Sequence, residues 1–244
     1  MGGGVRVRRL MAQAADGAGA KPATIAIMQP YFAPYAGYFR LAAASDLFVI
    51  YDCVQFPRRG WVHRNRLPNA KGEPDWLTLP LEKAAREVLI RDLAFRADAA
   101  EALEAQARRF PLLAAGRPDP HGLIDAFRDL DGTPVDYMER LLARAAAALG
   151  IPWRTLRSSS LPIPADLHAQ DRIIAISREL GARRYVNAPG GRDIYDAASF
   201  DAAGLELRFL GDYVGSFASI LARLLEEPAE AVAEEIAANT VLGA

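Results

Sequence analysis

Residues 24–30, TIAIMQP, and residues 46–52, DLFVIYD, decide the fold. The first stretch is a short apolar run that stops at Pro30, which predicts a buried strand. The second stretch is apolar without alternation, which is typical of a strand covered on both faces of a parallel sheet. Between them, YFRLAAASD at residues 38–46 is rich in alanine and predicts a short helix. Strand, helix and strand in this order predict an opening βαβ unit.

The same alternation of helix and strand continues to the end of the chain. The clearest helix follows Thr133, which is a suitable N-cap, and ends at Gly150. We therefore expect an α/β fold with a largely parallel sheet flanked by helices. Further helices are predicted at residues 98–109, 121–130, 169–182, 192–204, 217–227 and 228–239. Further strands are predicted at residues 153–158, 183–188 and 205–210, with a hairpin or sheet edge from residues 74–81 and 87–95.

Composition limits the class of protein. The 244 residues carry a net charge of -1, which argues against a protein that coats nucleic acid, so no nucleic-acid partner is expected. One cysteine and three histidines without metal-ligand spacing predict no disulfide framework and no metal site. No apolar run is long enough for a membrane helix. We expect a cytoplasmic protein with a flexible extension at residues 1–21 and a single α/β domain at residues 22–244.

Ligands of open α/β sheets bind in the loops that follow the strands, and the segment from Asp52 to Arg66 follows the second strand. Arg64 and Arg66 alternate with Asn65, so an extended backbone would place both guanidinium groups on one face, where they could bind an anion beside Trp61. Asp52 and His63 are candidate general bases, and Cys53 is a candidate thiol nucleophile. Solvated arginines and an inert buried cysteine are the alternatives.

Three other post-strand segments add candidate binding residues. After the first strand come two prolines, a glycine and tyrosines, and a turn packed on its own helix is the alternative. Serines follow the strand at residues 153–158, where helix or turn capping is the alternative. Two adjacent glycines follow the strand at residues 183–188 and could let backbone N–H groups face an anion, and a plain turn is the alternative. The candidates, with one glutamine from the segment after the second strand, are Gln29, Tyr31, Gly37, Tyr38, Gln55, Ser158, Ser159, Asn187, Gly190 and Gly191.

These segments resemble the WbqC-like protein family. The resemblance rests on the run from Met28 to Phe39, on Trp61 with the sequence Arg64-Asn65-Arg66, and on RYVNAPGG at residues 184–191. It extends over about residues 25–222 and includes WLTLPL and GLELRFL. The chain departs from the family pattern at Cys53 and His63. Those departures count against family-wide catalysis by either residue and leave open a specialised chemistry in this member.

The resemblance implies biosynthesis of surface polysaccharides or natural products, often beside enzymes of amino-sugar formation. We therefore expect a transferase that moves an acyl or aminoacyl group from an activated or carrier-bound donor to an amine. One alternative is a HIGH-type nucleotidyltransferase, with Tyr38 where a histidine would stand and the serines after residue 157 as a phosphate segment. A second alternative is a non-catalytic binding protein of glycan assembly. The sequence identifies neither a cofactor nor an oligomeric state. The transferase hypothesis also predicts that Gln29, Arg64, Asn65 and the loop at residues 187–191 converge on one cleft.

Overall fold

The computed structural model describes residues 21–243, and almost all of the predicted N-terminal extension lies outside that range. The main sheet has six strands, which are β1 (Thr24–Met28), β2 (Leu47–Ile50), β5 (Thr155–Arg157), β6 (Arg184–Asn187), β7 (Glu206–Leu210) and β8 (Leu242–Gly243). Their order in the sheet is β5-β2-β1-β6-β7-β8. Neighbouring strands run parallel except for the last pair, in which β8 is antiparallel to β7. The predicted α/β fold with a largely parallel sheet is confirmed.

Eight α-helices are present within the described residues. All eight predicted helical regions contain one, and the region after Thr133 forms the longest. They are α1 (Phe39–Ala43), α2 (Ala99–Ala107), α3 (Leu123–Arg128), α4 (Pro134–Ala148), α5 (Ala169–Glu179), α6 (Ala197–Ala202), α7 (Ile220–Glu226) and α8 (Ala229–Asn239). Short 3-10 turns precede α1 at Ala36–Tyr38 and follow β5 and β6 at Ser158–Ser160 and Pro189–Gly191.

The opening strand–helix–strand unit forms as predicted. β1 pairs in parallel with β2 from Ile25↔Leu47 to Met28↔Ile50. Side chains of a strand alternate between the two faces of the sheet, and each face has its own apolar cluster. Ala26 and Phe48 lie in the larger cluster, whereas Ile27 and Val49 lie in the smaller one. The apolar character of β1 and β2 therefore follows from burial on both faces.

The longest helix is fixed at both ends by local chemistry. Thr133 accepts a hydrogen bond from the backbone N–H of Asp136, and the Asp136 carboxylate accepts one from the backbone N–H of Thr133. This reciprocal capping box satisfies two N–H groups at the start of α4. Gly150, with φ +65°, follows its end in the left-handed conformation that glycine adopts at little cost.

One strand prediction was wrong. Residues 87–95 were expected to form a strand but form a 3-10 turn, Ile90–Asp92, with isolated bridges from Leu89 to Gln55 and from Phe95 to Leu81. The hairpin partner of β4 (Pro74–Thr78) is instead β3 (Arg64–Pro68), which pairs with it antiparallel. Ile90 and Leu93 are buried as side chains of a turn. Apolar content alone did not distinguish that turn from a strand.

One short strand at the sheet edge was not predicted. β8 has two residues and pairs antiparallel with β7. So short a strand lacks a hydrophobic period.

Over residues 21–243, every helix falls short of the length and apolar character that a membrane crossing requires.

Candidate active site at the carboxyl edge of the sheet

The strands β1, β2, β5 and β6 run parallel, so the segments that follow them meet at one edge of the sheet. Two cavities lie along this edge. The first, here called the cysteine cavity, has a volume of about 320 Å³ and lies between the segments after β2 and β5 and the start of α5. The second, here called the aromatic cavity, has a volume of about 350 Å³ and lies beside the segments after β1 and β6.

Four of the predicted residues after β2 and β5 line the cysteine cavity, and they are Cys53, Gln55, Ser158 and Ser159. The side-chain amide of Gln55 donates to the carbonyl oxygen of Arg86. Its other lining residues are Tyr51, Val54, Leu89, Arg91, Leu161, Ile163, Ala165, His168, Ala169 and Arg172.

Asp52 lies directly behind the cysteine cavity and is 1% exposed. Its carboxylate accepts hydrogen bonds from Ser158 Oγ at 2.9 Å, from Ser159 Oγ at 2.6 Å and from the backbone N–H of Ser159 at 2.9 Å. These bonds supply the partners that a buried carboxylate requires. Asp52 does not line the cavity. A proton that moves between Asp52 and a ligand would therefore pass through the hydroxyl of Ser158 or Ser159.

Cys53 presents its sulfur to the cavity between a hydroxyl and a guanidinium group. Ser158 Oγ is 3.1 Å from Cys53 Sγ, and Arg172 Nη1 is 3.2 Å from the same sulfur. The Ser158 hydroxyl also accepts the backbone N–H groups of Asp52 and Cys53, at 3.1 and 3.3 Å. A hydroxyl oxygen has two lone pairs, so Ser158 Oγ can accept the thiol hydrogen when the longer of these two bonds, from the Cys53 N–H, is released. With its own hydrogen donated to Asp52, it then joins the sulfur to the carboxylate.

Arg172 is a buried cation, 8% exposed, on the first turn of α5. Its guanidinium group donates to the carbonyl oxygens of Cys53, Pro164, Ala165 and Leu167. Within residues 21–243 it forms no ion pair with a carboxylate. Because a buried charge is stabilised by a nearby opposite charge, this position favours an anion at the cavity.

Among residues 21–243, the other charged lining side chain of the cysteine cavity is Arg91, and no carboxylate lines the cavity. His168 and Ala169, at the start of α5, also face it. No side chain caps this helix terminus, so its backbone N–H groups add further positive potential. Sequence reasoning missed Arg172. The sequence pattern of α5 could have identified it. Arg172 lies four residues before the buried Ile176, so the two side chains share the apolar face of the helix.

The aromatic cavity contains five of the predicted residues. Tyr31, Gly37, Tyr38, Trp61 and Asn65 line it. Sequence reasoning did not select its other lining residues, which are Met28, Pro34, Tyr35, Leu41, Ala188 and Phe217. Phe217 lies beyond β7 and gave no local signal, because only the tertiary fold brings it against Tyr35, with ring centroids 5.1 Å apart.

The floor of the aromatic cavity is held by hydrogen bonds. The hydroxyl of Tyr38 donates to the carbonyl oxygen of Gln29 at 2.9 Å. The side-chain amide of Asn65 donates to the carbonyl oxygens of Phe32 at 3.2 Å and Ala33 at 2.5 Å, which ties the hairpin to the segment after β1. Asn65 therefore acts through the backbone of that segment, and its amide hydrogens are not free for a ligand.

Arg64 and Arg66 lie on the face of β3 opposite to Asn65. Their guanidinium carbons are 4.2 and 4.5 Å from the ring centroid of Trp76, so both stack on the same indole. Trp61, which was expected to stack on an anion, packs against Trp76 at 5.6 Å. The two arginines line neither of the two cavities, and the predicted residues are therefore distributed rather than gathered in one cleft.

The loop after β6 is held by its own side chains. Asn187 Oδ1 accepts the backbone N–H of Ala188, and a Cβ on Gly191 would lie 2.2 Å from Asn187 Nδ2. Glycine at position 191 therefore makes room for the Asn187 amide. Gly190 has open space around it. Only Ala188 of this loop reaches the aromatic cavity, and whether Asn187, Gly190 or Gly191 binds an anion stays a prediction.

His63 lines neither the cysteine cavity nor the aromatic cavity. Its ring meets Phe56 edge-on at 4.9 Å, and its Nδ1 is buried with no hydrogen-bond partner in the described part of the chain. Burial, helped by the charge of Arg64, lowers the pKa of His63 from 6.5 to about 4. The imidazole is therefore neutral near pH 7, and its assignment as a general base stays a prediction.

This pKa predicts a loss of stability in mild acid. The unfolded chain binds a proton at His63 below about pH 6.5, whereas the folded protein resists it down to about pH 4, so stability falls as the pH falls through that window. Because the ring is partly exposed, we expect a loss of about 1–2 kcal/mol between pH 7.5 and pH 4.5. Urea unfolding of the wild type and of His63→Asn at both pH values measures it. An equal loss in both proteins would show that His63 is not its source.

Comparison with known proteins gives a family and one uncharacterised relative. The profile of the WbqC-like protein family matches residues 29–215. The uncharacterized protein Rv1507c of Mycobacterium tuberculosis is 29% identical over 201 residues, which cover 78% of this chain and 83% of the relative. No solved structure matches the chain. The matched region begins at Gln29 and contains both cavities apart from Met28 and Phe217.

Proposed function

The chain belongs to the WbqC-like protein family, and from the geometry of the cysteine cavity we propose that it transfers an acyl or aminoacyl group to an amine through the thiol of Cys53. The acceptor is an amine such as an amino sugar, and the setting is cytoplasmic biosynthesis of a surface polysaccharide or natural product. One observation carries the proposal. The Cys53 sulfur lies at the cavity wall between Ser158 Oγ, at 3.1 Å, and Arg172 Nη1, at 3.2 Å.

The first step forms a thioester on the enzyme. The thiol proton passes to Ser158 Oγ as the hydroxyl proton of Ser158 passes to Asp52, and the sulfur attacks the carbonyl carbon of the activated donor. A carbon–sulfur bond forms, and the bond to the leaving group breaks. The leaving group takes the proton back along the same path. Arg172 supports this step because its positive charge lies next to the sulfur that becomes negative.

The second step passes the acyl group to the acceptor. The amine nitrogen attacks the thioester carbon, a carbon–nitrogen bond forms, and the carbon–sulfur bond breaks. The amine loses one proton, and the released sulfur regains one, so the enzyme returns to its starting state. The hydroxyl of Ser159, which lines the cavity and donates to Asp52, is a second route for that proton.

The lining of the cavity supports an anionic donor. Among the described residues, Arg91 and Arg172 are its charged side chains, and the uncapped start of α5 faces the same space. A donor that carries phosphate or carboxylate groups would bind here more strongly than a neutral one of the same acyl group. The arginine pair at positions 64 and 66, which the sequence suggested for this role, faces away from the cavity.

Mass spectrometry of the intact chain tests the proposal. The protein is incubated with acetyl and glycyl thioesters of N-acetylcysteamine and, for comparison, with acetyl-coenzyme A, which carries phosphates. We expect one acyl group per chain, faster loading from the anionic donor, and release of the group when glucosamine is added. The chain has one cysteine, so Cys53→Ala is a matched control that should stay unmodified.

Two outcomes contradict the proposal. Equal loading of Cys53→Ala would place the acyl group elsewhere. Absence of loading from all three donors, while iodoacetamide still alkylates Cys53, would show that the thiol is accessible but does not accept acyl groups.

The alternative of nucleotidyl transfer has less support from the geometry. Tyr38, at the position of the HIGH-type histidine, is 2% exposed, and its hydroxyl donates to the Gln29 carbonyl oxygen. The hydroxyls of Ser158 and Ser159, in the second phosphate-binding segment of that layout, donate to Asp52. Each of these groups has a protein partner where a nucleotide phosphate would need a donor.

A further inference from the structure

The aromatic cavity lies between the ends of β1 and β6, where the order in which the chain adds strands to the sheet reverses. From β1 the chain passes to β2 on one side, whereas β6, on the other side of β1, is followed by β7 still farther out. The segments that follow β1 and β6 therefore separate and leave a crevice between them. In open α/β sheets this crevice is the usual site of a ligand. Tyr31 after β1 and Ala188 after β6 both line the aromatic cavity.

In the described part of the chain, the lining of the aromatic cavity has aromatic faces and no charged side chain. Five rings contribute, from three tyrosines, a tryptophan and a phenylalanine, with aliphatic contacts from Met28 and Leu41. A volume of about 350 Å³ suits one ring system rather than an extended chain. A neutral lining disfavours phosphate or carboxylate groups, because an anion loses hydration there and gains no cation.

Two phenol groups in this cavity are free to bind a ligand. The hydroxyls of Tyr31 and Tyr35 have no hydrogen-bond partner within residues 21–243. Neither hydroxyl oxygen is fully buried, so both are open to a ligand. Burial raises the pKa of both, which keeps them protonated as donors near pH 7. Tyr38, in contrast, is already bonded to Gln29 and belongs to the floor.

Glycine at position 37 allows the Tyr35 ring to lie where it does. A Cβ on Gly37 would be 2.2 Å from Cε2 of Tyr35, closer than any side chain permits. The ring instead stacks on Phe217, which is 69% exposed, and Trp61 is 45% exposed at the same cavity. Two large exposed aromatic rings beside one cavity are typical of a binding site rather than of a closed core.

We infer that the aromatic cavity binds an uncharged ring with hydrogen-bonding substituents, the chemistry that a nucleobase shares with a pyranose sugar. The ring faces pack on the aromatic side chains, and the substituents bond to the hydroxyls of Tyr31 and Tyr35. This binding does not depend on the chemistry proposed for Cys53, which lines the other cavity.

Ligand titration tests the inference with two defined probes. Uridine supplies a nucleobase, and methyl β-D-glucopyranoside supplies a sugar ring, each without charge. Calorimetry or saturation-transfer NMR of the full chain should detect at least one of them at concentrations up to about 10 mM, the range of weak single-ring affinities. Binding of uridine alone identifies a base, and binding of the glucoside alone identifies a sugar.

Two substitutions decide whether that binding occurs in the aromatic cavity. Tyr31→Phe removes one hydroxyl and keeps the ring, and Phe217→Ala removes an exposed ring, so neither should unfold the protein. Each substitution should lower the affinity for the probe about tenfold, the loss expected for one hydrogen bond or one stacked ring. Val214→Ala, at an exposed residue outside the cavity, is the matched control. The inference is overturned if neither probe binds, or if both variants bind it as the wild type does.

Discussion

Replacement of Asp52 by asparagine should slow alkylation of Cys53 by at least about tenfold at pH 7 and lower acyl transfer by about 10²–10⁴-fold, the usual contribution of a positioned general base. Asparagine keeps the shape of the side chain but can no longer take a proton from Ser158. The rate of iodoacetamide addition, followed by mass spectrometry, reports on the thiol alone because the chain has one cysteine. Acyl loading from thioesters reports on the complete step.

Asp46→Asn is the matched control for this substitution. Asp46 is exposed at the opposite end of β2, where its carboxylate accepts the backbone N–H groups of Ala23 and Thr24. The control variant loses the same charge from the same strand and should keep the wild-type alkylation rate. If Asp52→Asn alkylates as fast as the control while both remain folded by circular dichroism, the carboxylate does not activate the sulfur.

Replacement of Asn65 by leucine should lower the free energy of unfolding by about 2–4 kcal/mol. The side-chain amide of Asn65 donates to two buried backbone carbonyls, those of Phe32 and Ala33, and its oxygen accepts the backbone N–H of Arg66. Leucine leaves these groups without that partner inside the protein. Urea unfolding followed by circular dichroism measures the loss.

Arg66→Leu provides the comparison, because the same residue is introduced one position along β3, on the exposed face. Its effect should stay within about 1 kcal/mol, because Arg66 loses only an exposed cation–π contact with Trp76. Asn65→Leu should also weaken binding of whichever ring probe the aromatic cavity accepts, since Ala33 lies in the segment that carries Tyr31 and Tyr35. Equal stability of the two leucine variants would show that the amide does not hold the hairpin to that segment.

The sheet was predictable because its strands have a strong local signal. Ile25 and Val49 lie in runs that are apolar at every position, and only a strand covered on both faces requires such a run. The signal for the N-cap at Thr133 was equally local. The turn at Ile90–Asp92 was not predicted correctly, because its apolar residues are buried by contacts with distant segments and not by a period along the chain.

The strand pattern predicted which segments lie at the carboxyl edge of the sheet, but not how their side chains assemble into cavities. The rule that ligands meet parallel strands at their carboxyl ends selected Asp52, Ser158 and Ser159, and these three side chains lie in contact. The rule could not select Arg172, which is separated from Cys53 by 119 residues and reaches it from a helix. Nor could it divide the residues between two cavities, because that division depends on where the hairpin packs.

The hydrogen bonds around Asp52 also affect the edge of the sheet. β5 has three residues and pairs only with β2, so it depends on few ladder bonds. The bonds from Ser158 and Ser159 to Asp52 clamp the end of this outermost strand. Local opening of β5 would therefore separate Ser158 and Ser159 from Asp52 without global unfolding. Under the proposed mechanism, this interrupts the proton path and lowers the reactivity of the Cys53 thiol. The temperature dependence of thiol reactivity should then follow local opening of this strand, and amide exchange at Leu156 and Ser159 should report the same event.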